Sequence, residues 1–315
     1  MSIFNKKNIT WSIIIIAIYA LGQGLTVAGI IDSYTFMNIA PLAINIILAV
    51  SLNLITGITG QFSLGHAAFM AVGAYTSAIL TSNFGMPFIV GIIGAAFMAA
   101  VSGVFIGIPT LRLKGDYLAI ATLGFGEIIK TLLLNNEYVG GASGFNYIPL
   151  YTNWTWLFLM VVLTIVVISN FIKSKSGRAC IAIREDEIAA EAMGINTTFY
   201  KVLAFAIGAL FAGIAGALYG GYLSFITPES FGFMKSIDIL VIVVFGGMGS
   251  ITGSIVGAIA ISFISIVLQG IPELRMVIYS VILFIIMVYR PQGIMGNYEF
   301  KLFKKGGAKN ASIKG

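Results

Sequence analysis

Among 315 residues there is one cysteine, Cys180, and one histidine, His66. A lone cysteine forms no internal disulfide and builds no Cys-based metal cluster, and a lone histidine leaves no His-rich metal or catalytic site. Charge is scarce too. Asp, Glu, Lys and Arg make up 10% of the chain, against about 25% in a soluble globular protein. The sequence Gly-Lys-Ser/Thr, the phosphate-cradling core of a nucleotide-binding loop, occurs nowhere. Gly246, Gly247, Gly249 and Gly253 are grouped but have no such lysine beside them. No cofactor, nucleotide or metal is therefore expected on this chain, and no nucleophile–base pair marks it as an enzyme.

What the chain has instead is apolar sequence: 58% of its residues are hydrophobic. The length is spent on membrane spans, each needing about 20 apolar residues to cross the hydrocarbon. Apolar runs predict an all-α, polytopic helix bundle of about ten transmembrane helices. They centre on windows 11–31, 37–56, 66–82, 87–109, 116–134, 154–172, 200–226, 237–249, 254–270 and 275–290. The window at 237–249 is short and can borrow from Phe231 to Ser236. The run after Lys6 and Lys7 is longer than the apolar region of a signal peptide and reads as a retained first span. Residues 1–315 read as a single transmembrane domain.

The net charge of +6 does not point to nucleic acid, because the basic residues flank apolar runs and do not cluster with aromatics. With the N-terminus inside, the inner segments are 1–10, 57–65, 110–115, 173–199, 250–253 and a basic tail, 291–315. These segments and the helix ends at Lys201 and Arg290 carry all the Lys and Arg except Lys130, Lys235 and Arg275. That asymmetry is what the positive-inside rule requires. The reading is a multi-pass protein of a bacterial or archaeal cytoplasmic membrane, both termini cytosolic.

Small residues recur every fourth position in two windows: Gly91, Ala95, Ala99, Gly103 and Gly107, then Gly208, Ala212, Gly216 and Gly220. Residues four apart share a helix face, and small faces let backbones approach where lipid supplies no hydrophobic push. Tight packing is expected of both stripes.

Residues 177–196, "GRACIAIREDEIAAEAMGIN", interrupt the apolar pattern. Charged residues at a helix centre cost about 2.5–3.5 kcal/mol each on the insertion scale, so this stretch stays outside the membrane, within a loop of about 173–199. Ile181, Ile188 and Ala192, with Ala189 and Met193 alongside, give it an apolar side, and Gly194 followed by Asn196 makes a C-terminal stop. A helix this short needs a surface to hold it. That surface is either the protein's own underside or a cytosolic partner.

Few polar residues mark a path. Gln61, Ser63 and His66 frame the start of the third window, with Ser63 placed to cap that helix. Glu127 and Lys130 share a face and read first as a mutually neutralising pair. Thr56, Thr122 and Ser143 complete the path candidates.

The charged stretch resembles the "EAA" loop of ABC importer permeases, and more closely that of LivM-type branched-chain amino acid permeases. "LNLITGITGQFSLGHAAFMAVGAY" from Leu52, "GDYLAIATLGFGEIIKTLLL" from Gly115, "VFGGMGSITGSIVGAI" from Val244 and "YRPQGIMG" from Tyr289 agree. Val139 and Ser254 stand where the family usually shows Thr and Pro. The resemblance implies a permease that translocates leucine, isoleucine or valine, pairing with a second, LivH-type permease subunit. Two cytosolic ATPases consuming ATP with Mg would dock on the loops, and a soluble binding protein would deliver substrate. Ile181, Arg184, Glu185, Ala189, Glu191, Ala192 and Gly194 match the loop motif and are implied as the ATPase contact. The competing readings are a ribose-type sugar permease of the same superfamily, which calls for more hydrogen-bonding groups in the path, and an ATP-independent secondary transporter, which leaves 177–196 unexplained.

Overall fold

The computed structural model describes residues 6–29, 32–110, 113, 115–268, and beyond them 277, 278, 281, 284, 288, 289 and 293–296; of residues 6–15 and 27 it describes the backbone alone. Among the described residues regular structure is helical, apart from a single bridge between Phe145 and Ile226. The helices are α1 (Lys6–Val27), α2 (Ser33–Asn53), α3 (His66–Ala78), α4 (Phe88–Thr110), α5 (Asp116–Leu134) and α6 (Trp154–Lys173), followed by α7 (Lys175–Glu185), α8 (Glu187–Ala192), α9 (Thr197–Leu223), α10 (Phe233–Gly246) and α11 (Ile251–Val267). Wide π-helical turns, Leu54–Ile58 and Ile79–Asn83, prolong α2 and α3.

Nine of the ten apolar windows hold one of these helices, and the tenth, 275–290, lies largely outside the described residues. By length and composition five described helices suffice to cross a bilayer: 33–58, 88–110, 116–134, 154–173 and 197–223. The pair Pro228–Gly246 and Ile251–Val267 bends through 119° and counts as at most a sixth, a broken span or a re-entrant loop. Apolar character alone does not yield a full crossing: α10, with 14 residues, is only about 21 Å long at 1.5 Å per residue.

Helix α9 lies at the centre, packed on α2, α3 and α4. The small stripes make this arrangement. Gly91, Ala95, Ala99, Gly103 and Gly107 are all buried on α4, and a Cβ added at Gly213 of α9 would lie 2.5 Å from Ala99 and 2.6 Å from the Ala95 carbonyl oxygen. On the α3 side, a Cβ at Gly216 would lie 2.0 Å from the Met70 carbonyl oxygen. The other face of α4 and that of α5 expose Phe97, Phe105, Tyr117 and Ile128, an apolar belt suited to lipid or to another membrane helix.

The connecting segments sort to two ends. At one end, the Phe145–Ile226 bridge, the Thr152 N–H on the Gly221 carbonyl and the Tyr222 hydroxyl on the Met37 carbonyl join 145–152, 221–226 and the start of α2. At the other, Gly57 abuts Gly249, Gly60 abuts Arg184, and Gly293 abuts Gly247. The loop before α3, the 247–250 turn, the charged stretch and the segment at 293 therefore share one end.

Candidate functional site

The charged stretch folds as two helices rather than one. Ser174 alone separates α6 from α7, and its Oγ accepts the Gly177 N–H at 3.2 Å, capping α7. Asp186 breaks the run: its backbone is extended (φ −157°, ψ 110°) and Oδ1 accepts the N–H groups of Ile188 and Ala189 at 2.9 and 3.0 Å. An Asp in this position stabilises a new helix start, and α8 begins at Glu187. At the far end Gly194 adopts φ +81°, and the Gly194 and Ile195 N–H groups close on the Glu191 and Ala190 carbonyls, the left-handed stop expected of glycine here. Asn196 then caps α9 through Phe199 N–H. The stretch is spliced tightly between α6 and the central helix α9.

The two halves meet different surroundings. Helix α7 lies on the protein, with Gly177, Ala179, Cys180 and Ile183 buried and Ile181 half-buried. Helix α8 does not turn its apolar side inward. Ile188 is 74% and Met193 83% exposed, and Ala189, Glu191, Ala192 and Gly194 are exposed with them; Ala190 faces in. Behind α8, the Lys201 ammonium at the start of α9 pairs with Glu187 at 2.6 Å, with only 9% of the lysine side chain exposed.

Arg184 faces two ways. Nε and Nη2 contact Glu185 Oε1, while Nη1 donates to the Gly57 carbonyl at 2.8 Å. Asn53 closes the arrangement: its Nδ2 donates to the Ser250 carbonyl at 2.9 Å and its Oδ1 accepts the Gly249 N–H at 2.8 Å. Gly57 must be glycine for this approach, since a Cβ there would stand 1.9 Å from Asn53 Oδ1 and 2.3 Å from Gly249 N. Cavities open at each end of α8. One of about 350 Å³ is bordered by Thr59–Phe62, Leu113, Ile183–Ile188 and Lys201. The other, about 580 Å³, is bordered by Lys175, Arg178 and Gly194–Asn196.

Of the path candidates, Thr56, Gln61, Ser63, His66 and Thr122 come together where the chain between α2 and α3 is buried. The Thr122 hydroxyl of α5 accepts the Leu64 N–H at 3.0 Å, and His66 Nε2 lies 2.9 Å from the Ser51 hydroxyl of α2. Ser63 is not the cap of α3. Its Oγ accepts the N–H of Gly65, before the helix begins, while Ala67 N–H donates to Ser236 Oγ of α10, because the buried loop brings α10 against that helix end. Among the described residues, Thr56 Oγ1, both amide atoms of Gln61, His66 Nδ1 and the Tyr75 hydroxyl are buried with no hydrogen-bond partner. Glu127 and Lys130 form a 3.9 Å pair on a partly exposed face of α5, and Ser143 is exposed beyond the opposite end of α5; neither joins the cluster. Sequence reasoning missed Glu187, Asn53 and Ser236. Glu187 could have been found from Lys201, an isolated base beginning an otherwise apolar helix.

Cys180 is fully buried, and burial pushes its thiol up to about 11. The folded state therefore holds this proton more tightly than the unfolded chain. A maleimide at pH 7.5 is expected to leave the folded protein unmodified and to label it after denaturation; equal labelling in both states would place α7 off the bundle.

A family model described as the permease component of branched-chain amino acid transport systems matches residues 34–287. The high-affinity branched-chain amino acid transport system permease protein LivM of Escherichia coli K12 is 38% identical over 84% of this chain and 71% of its own length. LivH of the same strain is 26% identical over 80% of this chain and 91% of its own. A probable LivM of Methanocaldococcus jannaschii is 25% identical, with 82% of each chain covered. No solved structure matches.

Proposed function

The chain belongs to the family of branched-chain amino acid transport permease components, and from that premise we propose that it is the membrane permease subunit of an ATP-driven importer of leucine, isoleucine and valine. It is a transport subunit and not an enzyme. Similarity to both LivM and LivH proteins supports a pair of related permeases, this chain in the LivM-type place. Two cytosolic ATPases would carry the ATP and Mg, and a soluble binding protein would deliver substrate.

The observation that carries the reading is helix α8. Its apolar residues Ile188 and Met193 point away from the bundle, while Lys201–Glu187 and Ala190 hold it from behind. Exposed apolar groups on a short, rigidly spliced helix mark an interaction site, and the ATPase is the occupant we assign. Glu185, Ala189, Glu191, Ala192 and Gly194 would lie in or beside that contact. Ile181 and Arg184 would act from behind it, Arg184 relaying movement to Gly57 and the 247–250 turn. The end bearing α7 and α8 would be cytosolic, with both termini on that side. Alternation of the described connections between the two ends supports counting the short helices as crossings, toward the roughly ten expected from the sequence. Thr56, Gln61, His66 and Thr122 would line the inner part of the path, where buried polar atoms without protein partners are costly unless something polar visits them.

The test is reconstitution of both permeases, ATPases and binding protein in vesicles. Ile188→Asp with Met193→Asp is expected to leave the permease pair intact, to lower recovery of bound ATPase at least tenfold, and to abolish leucine uptake. Normal ATPase recovery would reject the docking role. Uptake by the permeases alone would favour a secondary transporter.

A further inference from the structure

The larger cavity beside α8, of about 580 Å³, is bordered by Lys175 and Arg178 of α7, Gly194 and Asn196 of the joint after α8, and Phe199 and Tyr200 of α9. Among the described residues no Asp or Glu borders it, and neither Lys175 nor Arg178 enters an ion pair. Both cations are exposed. Arg178 Nη1 donates to the Lys173 carbonyl at 3.0 Å, which engages only part of a guanidinium that carries five N–H donors. Both stand in the first turn of α7, where the helix dipole favours an anion and opposes a cation, and that turn holds no acidic residue. The cavity is therefore built for negative charge.

Its depth follows from the helices that flank it. Helix α6 has 20 residues, about 30 Å at 1.5 Å per residue, which matches a hydrocarbon thickness of about 30 Å. With α6 as a crossing, its last residue, Lys173, marks the edge of the hydrocarbon. Lys175 and Arg178 then fall just beyond it, at the level of lipid headgroups. The opposite wall is the first turn of α9, a second helix long and apolar enough to cross. Cys180 Sγ lies 3.7 Å from the Tyr200 carbonyl oxygen and holds α7 against that turn. Phe199 is 57% exposed there, an apolar ring beside two cations. A basic pocket between crossing helices on the cytosolic side suits an anionic lipid headgroup. A soluble anion shares the charge but makes no use of the apolar flank.

Resting on the reading of this end as the cytosolic one, we propose that the cavity binds the headgroup phosphate of an anionic phospholipid of the inner leaflet. Lys175 and Arg178 face the phosphate, and Phe199 packs on the start of an acyl chain. Gly194, the stop of α8, borders the same cavity. A bound headgroup therefore ties the foot of the docking helix to the membrane surface.

The probe is phosphatidylglycerol with a fluorophore on one acyl chain, added to the full-length chain in mild detergent, with phosphatidylcholine bearing the same label as reference. Lys175→Gln with Arg178→Gln is expected to weaken phosphatidylglycerol binding at least tenfold, with phosphatidylcholine binding and the size-exclusion profile unchanged. Lys175→Arg with Arg178→Lys keeps both charges and should bind as the parent does. Equal phosphatidylglycerol binding by the parent and the neutral variant would overturn the proposal. So would loss of binding in the charge-keeping variant, which would assign the two residues to packing. Excess inorganic phosphate should leave the lipid bound; its displacement would make this a site for soluble anions and overturn the lipid assignment. In vesicles carrying the complete transporter, phosphatidylglycerol should raise leucine uptake at least twofold for the parent and not for the neutral variant; an equal rise in both would count against the site. Absence of uptake by the parent in every lipid would sink the transport reading alone, because the binding assay in detergent does not depend on it.

Discussion

Replacement of Lys201 by Met should loosen α8 and uncouple the transporter. Removing one member of a buried ion pair costs about 3–5 kcal/mol because the other charge is left uncompensated. Glu187 retains 28% exposure, so the lower end of that range applies. The loss should appear as a lower unfolding temperature of the purified protein and at least a tenfold fall in leucine uptake by the complete transporter. Replacing both partners, Lys201→Met with Glu187→Met, should restore most of the stability, since a pair of apolar groups has no stranded charge. A single Lys201→Met variant as stable as the parent would mean that the pair does not hold α8 in place.

The second large effect is expected at Gly216. Its hydrogen faces the Met70 carbonyl, and a Cβ would stand 2.0 Å from that oxygen and 2.8 Å from Ala74 N. Backbone cannot swing aside as a side-chain tip can, so Gly216→Val must part α3 from α9. The interface between them is made by close approach alone, without a hydrophobic drive in lipid, and parting it removes the dispersion contacts along both helices. The variant should fail to give a monodisperse peak on size exclusion in mild detergent. Gly124, where nothing lies within 4 Å of an added Cβ, is the control: Gly124→Ala should be tolerated, and its better helix propensity contributes up to about 1 kcal/mol. A well-behaved Gly216→Val protein would refute the close packing of α3 on α9.

The small stripes were legible because their purpose is local: a helix face of Gly and Ala at every fourth position can do little but admit another backbone. The helical windows were legible for the same reason, each being a run of residues. Crossing number was less so. The short α10 and its sharp turn into α11 depend on Gly247–Ser250 being gripped by Asn53, almost two hundred residues earlier in the chain.

The candidate site divides along the same line. The sequence by itself determined that residues 177–196 are too charged for an apolar span, that they are helical, and that they stop at Gly194, because ionic desolvation and left-handed backbone are properties of the residues concerned. Only the tertiary structure decided that Asp186 splits the stretch, that α8 turns Ile188 and Met193 outward, and that Arg184 reaches Gly57. Those facts depend on which distant helix stands opposite each residue. The periodicity of one segment carries no information about its neighbours, and the packing of small residues around α9 selects them.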